Sequence, residues 1–295
     1  MRKPEVCILP VAGLSTRNLP ATKALHKGFL TLHSKPIIQY AVDACAEIGI
    51  KEIVFIYSDQ SCKHLFEKHY SPYPWLENHL KEKNKLEILQ DLLKVIPEGM
   101  KFSFAEQAQP LGNGHAILMA KEIVGDRDFV VMWPDDVYIN LHGKGVLSQL
   151  LDVYEEHGGM VENIMELPRE QLVRYGVLSG AVREGRVVHA KGKIEKPALE
   201  DVPSNYASMG PYILPNEIMN ILPEVKKGTN GEINLADAMG LAAERGMKLT
   251  GVLCDAMRFD CGTNKDLERS NLKLCLMEDP DLRAYCKELL DNILV

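Results

Sequence analysis

The chain opens on an alternation that few folds accept: short apolar runs rich in β-branched residues, separated by a stretch of helical period. "VCILPVA" is followed by "KPIIQYAVDACAEIGI" and then by "KEIVFIYS". In the middle stretch Ile37, Ile38, Ala41, Val42, Ala44, Cys45 and Ile48 recur on one helical face. Gly49 follows, and its missing Cβ suits a left-handed cap. Strand, crossover helix and second strand make a βαβ unit, which predicts an α/β fold with a doubly wound, mostly parallel sheet.

Further along, residues 59–100 are polar, lysine-rich and helical in pattern, and read as a solvated flank to which no chemistry is assigned. "KFSFAEQ" returns to a strand. "DFVVMWPDD" then gives an apolar strand, Phe129 to Trp133, ending in Pro134 and two carboxylates, at the end of a parallel sheet where ligands bind. From about residue 160 the texture changes to glycine-punctuated strand pieces, "YGVLSGAVREGRVVHAKGKIEKP" and "SNYASMGPYILP", which predict a smaller mixed-sheet region. A helix through "INLADAMGLAAERG", a strand "MKLTGVLC", the segment "AMRFDCGT" and a helical stretch from about Asn264 to Leu294 follow. The expected organisation is a core over 1–160, a mixed-sheet lobe over 161–230, and a return to the core with C-terminal helices over 231–295.

Composition narrows the function. No apolar run approaches the roughly 18 residues of a membrane helix, and the apolar start runs straight into polar loop residues, so it reads as a first strand rather than a signal. The balance of 34 Lys+Arg against 41 Asp+Glu, a net charge of −7, disfavours a nucleic-acid surface while leaving room for a local basic pocket. Seven scattered cysteines, never spaced C-x-x-C, suggest neither a disulfide framework nor a zinc site, and fit a reducing cytoplasm.

The loop after the first strand, "PVAGLSTRNLPATK", lacks the later glycines of G-x-G-x-x-G and the G-K-[ST] of a P-loop. It still gathers Gly13, Ser15, Thr16, Arg17, Lys23 and Lys27, backbone donors and fixed cations of the kind a triphosphate needs. In "EQAQPLGNGHAIL", Gly112 and Gly114 allow close backbone approach just before a helix start. Asp135 and Asp260 each follow an apolar or aromatic run, and Mg²⁺ takes one or two carboxylates plus phosphate oxygens. Taken singly, these features also suit an ordinary βα loop, a glycine-rich helix start and two turn-forming aspartates.

Together, "PVAGLSTRNLPATKA", "KPIIQYAVDACAEIGIKEIVF", "QPLGNGHAIL", "PDD", "YGV", "IEKP", "GEINLADAM" and "FDCGT" stand in the order of bacterial UTP-glucose-1-phosphate uridylyltransferases, a family the chain resembles over about residues 5–275. The resemblance implies a Rossmann-like nucleotidyltransferase core with a sugar-binding lobe, a cytoplasmic homo-oligomer, UTP and a hexose 1-phosphate as partners, and Mg²⁺ as cofactor. It would set Ala12 and Gly13 against uracil and ribose, with Gln107 and Gly112 reading the base edge. Arg17 and Lys27 would bind the UTP phosphates, Asp135 and Asp260 would hold Mg²⁺, and Gly176, Glu195 and Lys196 would meet the sugar and its phosphate. Glu195 accepts hydroxyl protons, and the adjacent Lys196, alternating to the other side of its strand, reaches an anion. The reaction implied is in-line displacement at the α-phosphorus, which asks for positioning and charge neutralisation, and leaves His64, His69 and His142 as surface residues.

The sequence departs from the family's pattern mainly around this loop. Ser15 stands at the second glycine of G-x-G-T-R, where a Cβ and hydroxyl either tighten or obstruct a phosphate contact; Gly28 and Thr31 replace a glutamate and a proline of K-E-M-L-P. Asn113 replaces an apolar residue, Asn264 a lysine and Pro211 an arginine. The alternatives are a catalytically weakened paralogue that binds sugar nucleotide, or a nucleotidyltransferase for another base or hexose 1-phosphate.

Overall fold

In a computed structural model that describes residues 3–228 and 231–293, the first strand, β1 (Val6–Pro10), is an interior strand of an eleven-stranded sheet, third from one edge. Its side chains alternate: Val6 and Ile8 point to one face, Cys7 and Leu9 to the other, and all four are fully buried. Helix α1 (Ile37–Glu47) crosses over from it to β2 (Glu52–Tyr57), which pairs parallel to β1 with Val6 opposite Glu52. The helix ends where Gly49 takes φ +79°, the left-handed cap that its sequence predicts. In β2, Val54 and Ile56 join the face of Val6 and Ile8, while Ile53 and Phe55 join that of Cys7 and Leu9. A sheet apolar on both faces needs helices on both, which is the doubly wound arrangement.

Helices α2 (Gln60–His69), α3 (Pro74–Glu82) and α4 (Leu86–Lys94) then lead to β3 (Lys101–Glu106), the outer parallel neighbour of β2. His69 departs from its expected place at the surface. It is half-buried, its ring 5.1 Å from that of Phe29 and 4.7 Å from that of Tyr70, because it follows the fully buried Phe66 by three residues on one face of α2. Burial lowers its pKa. His64 and His142 are exposed, as expected.

After α5 (Asn113–Leu118), β4 (Phe129–Val131) pairs parallel to β1 on its other side and runs into β5 (Asp136–Ile139). Helix α6 (Val146–His157) precedes β6 (Met160–Glu166). The middle of the chain supplies β7 (Gly176–Ser179), β8 (Val182–Glu184), β9 (Val187–Ala190), β10 (Gly192–Glu195) and the long β11 (Tyr206–Leu214). After α7 (Leu235–Glu244) come β12 (Leu249–Val252) and β13 (Met257–Asp260). The sheet order is β8-β9-β12-β6-β11-β4-β1-β2-β3, with β7 and β10 branching from β11. β11 runs antiparallel to both β4 and β6, so the same sheet passes from a parallel half into a mixed one. The expected C-terminal helical stretch breaks at Pro280 into α8 (Asn264–Glu278) and α9 (Pro280–Ile293), and Leu294 lies outside the described residues. Among the described residues no helix is long and apolar enough to cross a membrane.

Candidate functional site

The carboxyl ends of β1, β2 and β3 share one edge. Val11 N–H bonds to the Ile56 carbonyl at 2.8 Å and Gln107 N–H to the Tyr57 carbonyl at 2.8 Å, so Ala12–Gly13 and Gln107 leave the sheet on either side of one strand end. The Gln107 amide Nε2 donates to the Gly112 carbonyl at 2.9 Å and lies 3.1 Å from His115 Nδ1. Gly112 adopts φ +109°, and a Cβ there would stand 2.4 Å from the Ile233 carbonyl oxygen. "PLGNGHA" and "GEINLADAM" are thus docked backbone to backbone: Gly114 N–H bonds to the Ile233 carbonyl at 2.8 Å, and Asn113 Oδ1 accepts from Leu235 N–H at 2.8 Å.

Gly13 has nothing within 4 Å of where a Cβ would be. The left-handed residue of the loop is Ser15, at φ 54° and ψ 27°. Its carbonyl accepts from Thr22 Oγ1 at 2.8 Å and its Oγ from Lys27 N–H at 3.3 Å, so the serine ties the start of the loop to the lysine turn. His26, 7% exposed, caps that turn, its Nδ1 accepting from Gly28 N–H at 3.0 Å. Burial, with the Lys27 charge adding, lowers its pKa to about 4, so the ring is neutral at physiological pH. His26 stands in no sequence motif and Thr22 is an unassigned position of "PVAGLSTRNLPATKA"; only the fold shows that they hold the loop.

The two candidate metal ligands meet because β13 pairs antiparallel with β5. Asp260 lies opposite Asp136, and Cys261 N–H bonds to the Asp135 carbonyl at 2.8 Å. A Cβ on Gly262 would lie 3.1 Å from Asp260 Oδ1, 3.5 Å from Asp135 Oδ2 and 3.7 Å from Arg17 Nη2, so two carboxylates and a guanidinium converge on space that only glycine leaves free. Lys27 Nζ stands 2.6 Å from Asp135 Oδ2. Burial pushes the Asp135 carboxyl upward, but the charge and hydrogen bond of Lys27, with Arg17 beyond, outweigh it and hold the group below its usual range. The neighbouring Asp136 is drawn away by Arg258, Nε to Oδ1 at 2.5 Å, and Arg258 also reaches Asp260 Oδ2 at 3.2 Å. Burial raises Asp136 to about 6 against the pull of Arg258. Arg258, two residues before Asp260 on one strand face, is a member that the period-2 spacing of "RFD" could have revealed.

The predicted sugar residues gather in a separate cavity of about 210 Å³. Gly176 lies opposite Glu195 in the β7–β10 ladder, which joins "RYG" to "IEKP". Lys196 differs from its expected course. It sits one residue past the end of β10 with φ 44°, so strand alternation no longer governs it, and its Nζ lies 3.4 Å from Glu195 Oε1. Trp133, Arg174, Ser208, Tyr212 and the departing residue Asn113 are among the other lining residues. Asp136 borders the same cavity, linking it to the carboxylates beside Lys27.

A sequence profile of the family described as nucleotidyl transferase matches residues 7–275. A UTP–glucose-1-phosphate uridylyltransferase of Pseudomonas aeruginosa is 36% identical over 255 residues, covering 86% of this chain and 90% of its own. The UTP-bound UGPase of Acinetobacter baumannii superposes with a TM-score of 0.85 at 30% identity, over 97% of this chain and 98% of that one. A UDP-glucose pyrophosphorylase complexed with UDP-glucose gives 0.80 at 32% identity, over 92% and 98%.

Proposed function

The chain belongs to the nucleotidyl transferase family, and from that premise we propose that it transfers the uridylyl group of UTP to glucose 1-phosphate, giving UDP-glucose and pyrophosphate. The observation that carries this reading is the convergence of Asp135, Asp260 and Arg17 on Gly262 with Lys27 on Asp135. A phosphate oxygen of the sugar phosphate attacks the α-phosphorus in line, and pyrophosphate departs. The attacking group is already ionised near neutral pH, so what the protein must supply is orientation and charge.

Ala12, Gly13, Gln107 and Gly112 hold the nucleoside at the shared strand edge, supported by the Gln107–Gly112 bond. Arg17 and Lys27 take up phosphate charge, for which Lys27 exchanges its carboxylate partner for phosphate oxygens. Gly176, Glu195 and Lys196 hold the hexose and its phosphate around the 210 Å³ cavity. Asp135 and Asp260 fit a hard cation: both are carboxylates, and their oxygens converge on one small space. Mg²⁺ bound there supplies further neutralisation of the triphosphate. A cytoplasmic setting is supported by seven free thiols. A homo-oligomer is supported by exposed Trp75, Leu86, Ile88 and Leu93 on α3 and α4.

Pyrophosphate release from purified protein with Mg²⁺ tests the proposal, each nucleoside triphosphate being paired in turn with glucose 1-phosphate and galactose 1-phosphate. Release selective for UTP with glucose 1-phosphate is expected. Selectivity for another base or hexose would reassign the substrate, and no release from folded protein would overturn the activity.

A further inference from the structure

Behind the sugar cavity lies an ion pair that a core of this kind does not need. Glu162 on β6 is fully buried, the side chain of Lys193 on β10 is 1% exposed, and Lys193 Nζ stands 2.8 Å from Glu162 Oε2. Burying two charges is costly unless further polar contacts complete them, so the neighbours of such a pair show what it holds. Lys193 Nζ also lies 3.6 Å from Met239 Sδ and 5.1 Å from the centroid of the Tyr212 ring. On the carboxylate side, Ser208 Oγ donates to the same Glu162 Oε2. Tyr212 OH lies 3.2 Å from Ser208 Oγ, and Trp133 Nε1 lies 3.4 Å from Tyr212 OH.

Every proton in this row has a fixed place. An ionised carboxylate only accepts, so Ser208 gives its single hydroxyl proton to Glu162. Tyr212 must then donate to Ser208, and the indole N–H, which only donates, gives to Tyr212. Burial, and after it the Glu162 charge, raises the Tyr212 phenol above its usual range, so it keeps the proton that it donates. Ser208 is left with no proton to offer and one lone pair to use.

Ser208, Tyr212 and Trp133 line the 210 Å³ cavity, while Glu162 and Lys193 stand behind it. The pair reaches up to the cavity's edge: a Cβ on Gly176 would stand 2.9 Å from Lys193 Cε and 3.2 Å from Glu195 Oε2. Through Gly176 the buried pair and the candidate sugar carboxylate are neighbours. We propose that Ser208 is a specificity-determining acceptor for one hydroxyl of the hexose 1-phosphate, and that Glu162 and Lys193 are positioning residues which fix it as an acceptor. The proposal rests on the reading of this cavity as the sugar subsite and deepens it. A site built this way favours a sugar with a free O–H at that position and rejects one that carries hydrogen there, because Ser208 would then be left unpaired.

The test compares the wild-type protein with Ser208→Ala, using glucose 1-phosphate and each of its monodeoxy analogues. Ser208→Ala leaves the ion pair intact. It is expected to raise KM for glucose 1-phosphate about tenfold, the scale of one hydrogen bond, with kcat and the KM for UTP held. One monodeoxy analogue should be about tenfold poorer than glucose 1-phosphate for the wild type and equal to it for Ser208→Ala. Glu162→Gln, whose amide oxygen can take the place of Oε2 and still accept from both Lys193 and Ser208, should keep the sugar KM and the discrimination between analogues close to those of the wild type. Unchanged sugar KM and unchanged analogue discrimination in Ser208→Ala would overturn the proposal while the uridylyltransferase reading stands. If the wild type turns over no substrate, calorimetric titration of glucose 1-phosphate onto both proteins decides: tighter binding by the wild type supports the contact, and equal affinities or no binding by either overturns it.

Discussion

Lys27 Nζ and Asp135 Oδ2 stand 2.6 Å apart, so the candidate phosphate cation and the candidate metal ligand neutralise each other in the free protein. The contact explains how an aspartate at a half-buried strand end stays ionised: burial raises its pKa, and Lys27 more than reverses the effect. It also makes one residue responsible for two charges.

Lys27→Met is therefore expected to act twice. Loss of a charge aimed at the phosphates should lower kcat by about 10²–10³-fold, the range for removing one preorganised donor. Loss of the partner should also lift the Asp135 carboxyl, because burial then acts with only a backbone hydrogen bond and the Arg17 charge against it. Steady-state kinetics read the first effect, and the chemical shift of a labelled Asp135 carboxyl against pH reads the second. A wild-type kcat would remove Lys27 from the reaction.

Two glycines of the candidate nucleotide site should respond in opposite ways to the same added methyl. Gly112→Ala places a Cβ 2.4 Å from the Ile233 carbonyl oxygen at φ +109°, so the backbone joining α5 to the segment before α7 must shift. A loss of about 2–4 kcal/mol is expected in urea unfolding, within the range of overpacking added to backbone strain. Gly13→Ala meets nothing within 4 Å and should unfold like the wild type, yet its methyl projects where the nucleoside is read, so KM for UTP should rise. Equal stability losses in both variants would mean that Gly13 is structural.

Ser15 holds its left-handed conformation at a cost of about 1 kcal/mol that glycine would not bear. Against that stand the long 3.3 Å bond from Lys27 N–H and the greater freedom of glycine in the unfolded chain. Ser15→Gly should therefore change stability by less than about 1 kcal/mol and leave kcat/KM within a few-fold. A rise of more than tenfold in kcat/KM would show instead that the serine obstructs the phosphates.

How much of this was legible depended on the range of the signal. β1, α1 and β2 followed from period 2 and period 3.6 in adjacent stretches, and the carboxylate end of β4 from an apolar run that stops at "PDD". Asp135 and Asp260 were legible as types, but their meeting depends on the β5–β13 pairing across more than a hundred residues, which no local pattern encodes. Lys196 departs from strand alternation because the strand ends at Glu195, one residue before it. His26 acts through burial, and the Glu162–Lys193 pair through burial and a partner distant in sequence, so their residue types alone give no sign of them.

His26 makes the loop's stability depend on pH. Burial, with Lys27 adding, holds its folded pKa at about 4 against an ordinary value of 6.5, so the unfolded chain binds the proton more tightly. The sign follows. Above pH 6.5 both states are neutral and stability is full; between 6.5 and 4 the unfolded state gains protons first and stability falls, by about 3 kcal/mol in total below pH 4. His26→Gln keeps a side-chain acceptor for Gly28 N–H but does not titrate. Urea unfolding at pH 7 and pH 4.5 should therefore show a stability loss in the wild type that is smaller in the variant by most of that amount. Carboxylates that titrate in the same window act in both proteins, and the difference cancels them. An identical loss in both would place the ring in contact with solvent and leave the Lys27 turn held by its backbone alone.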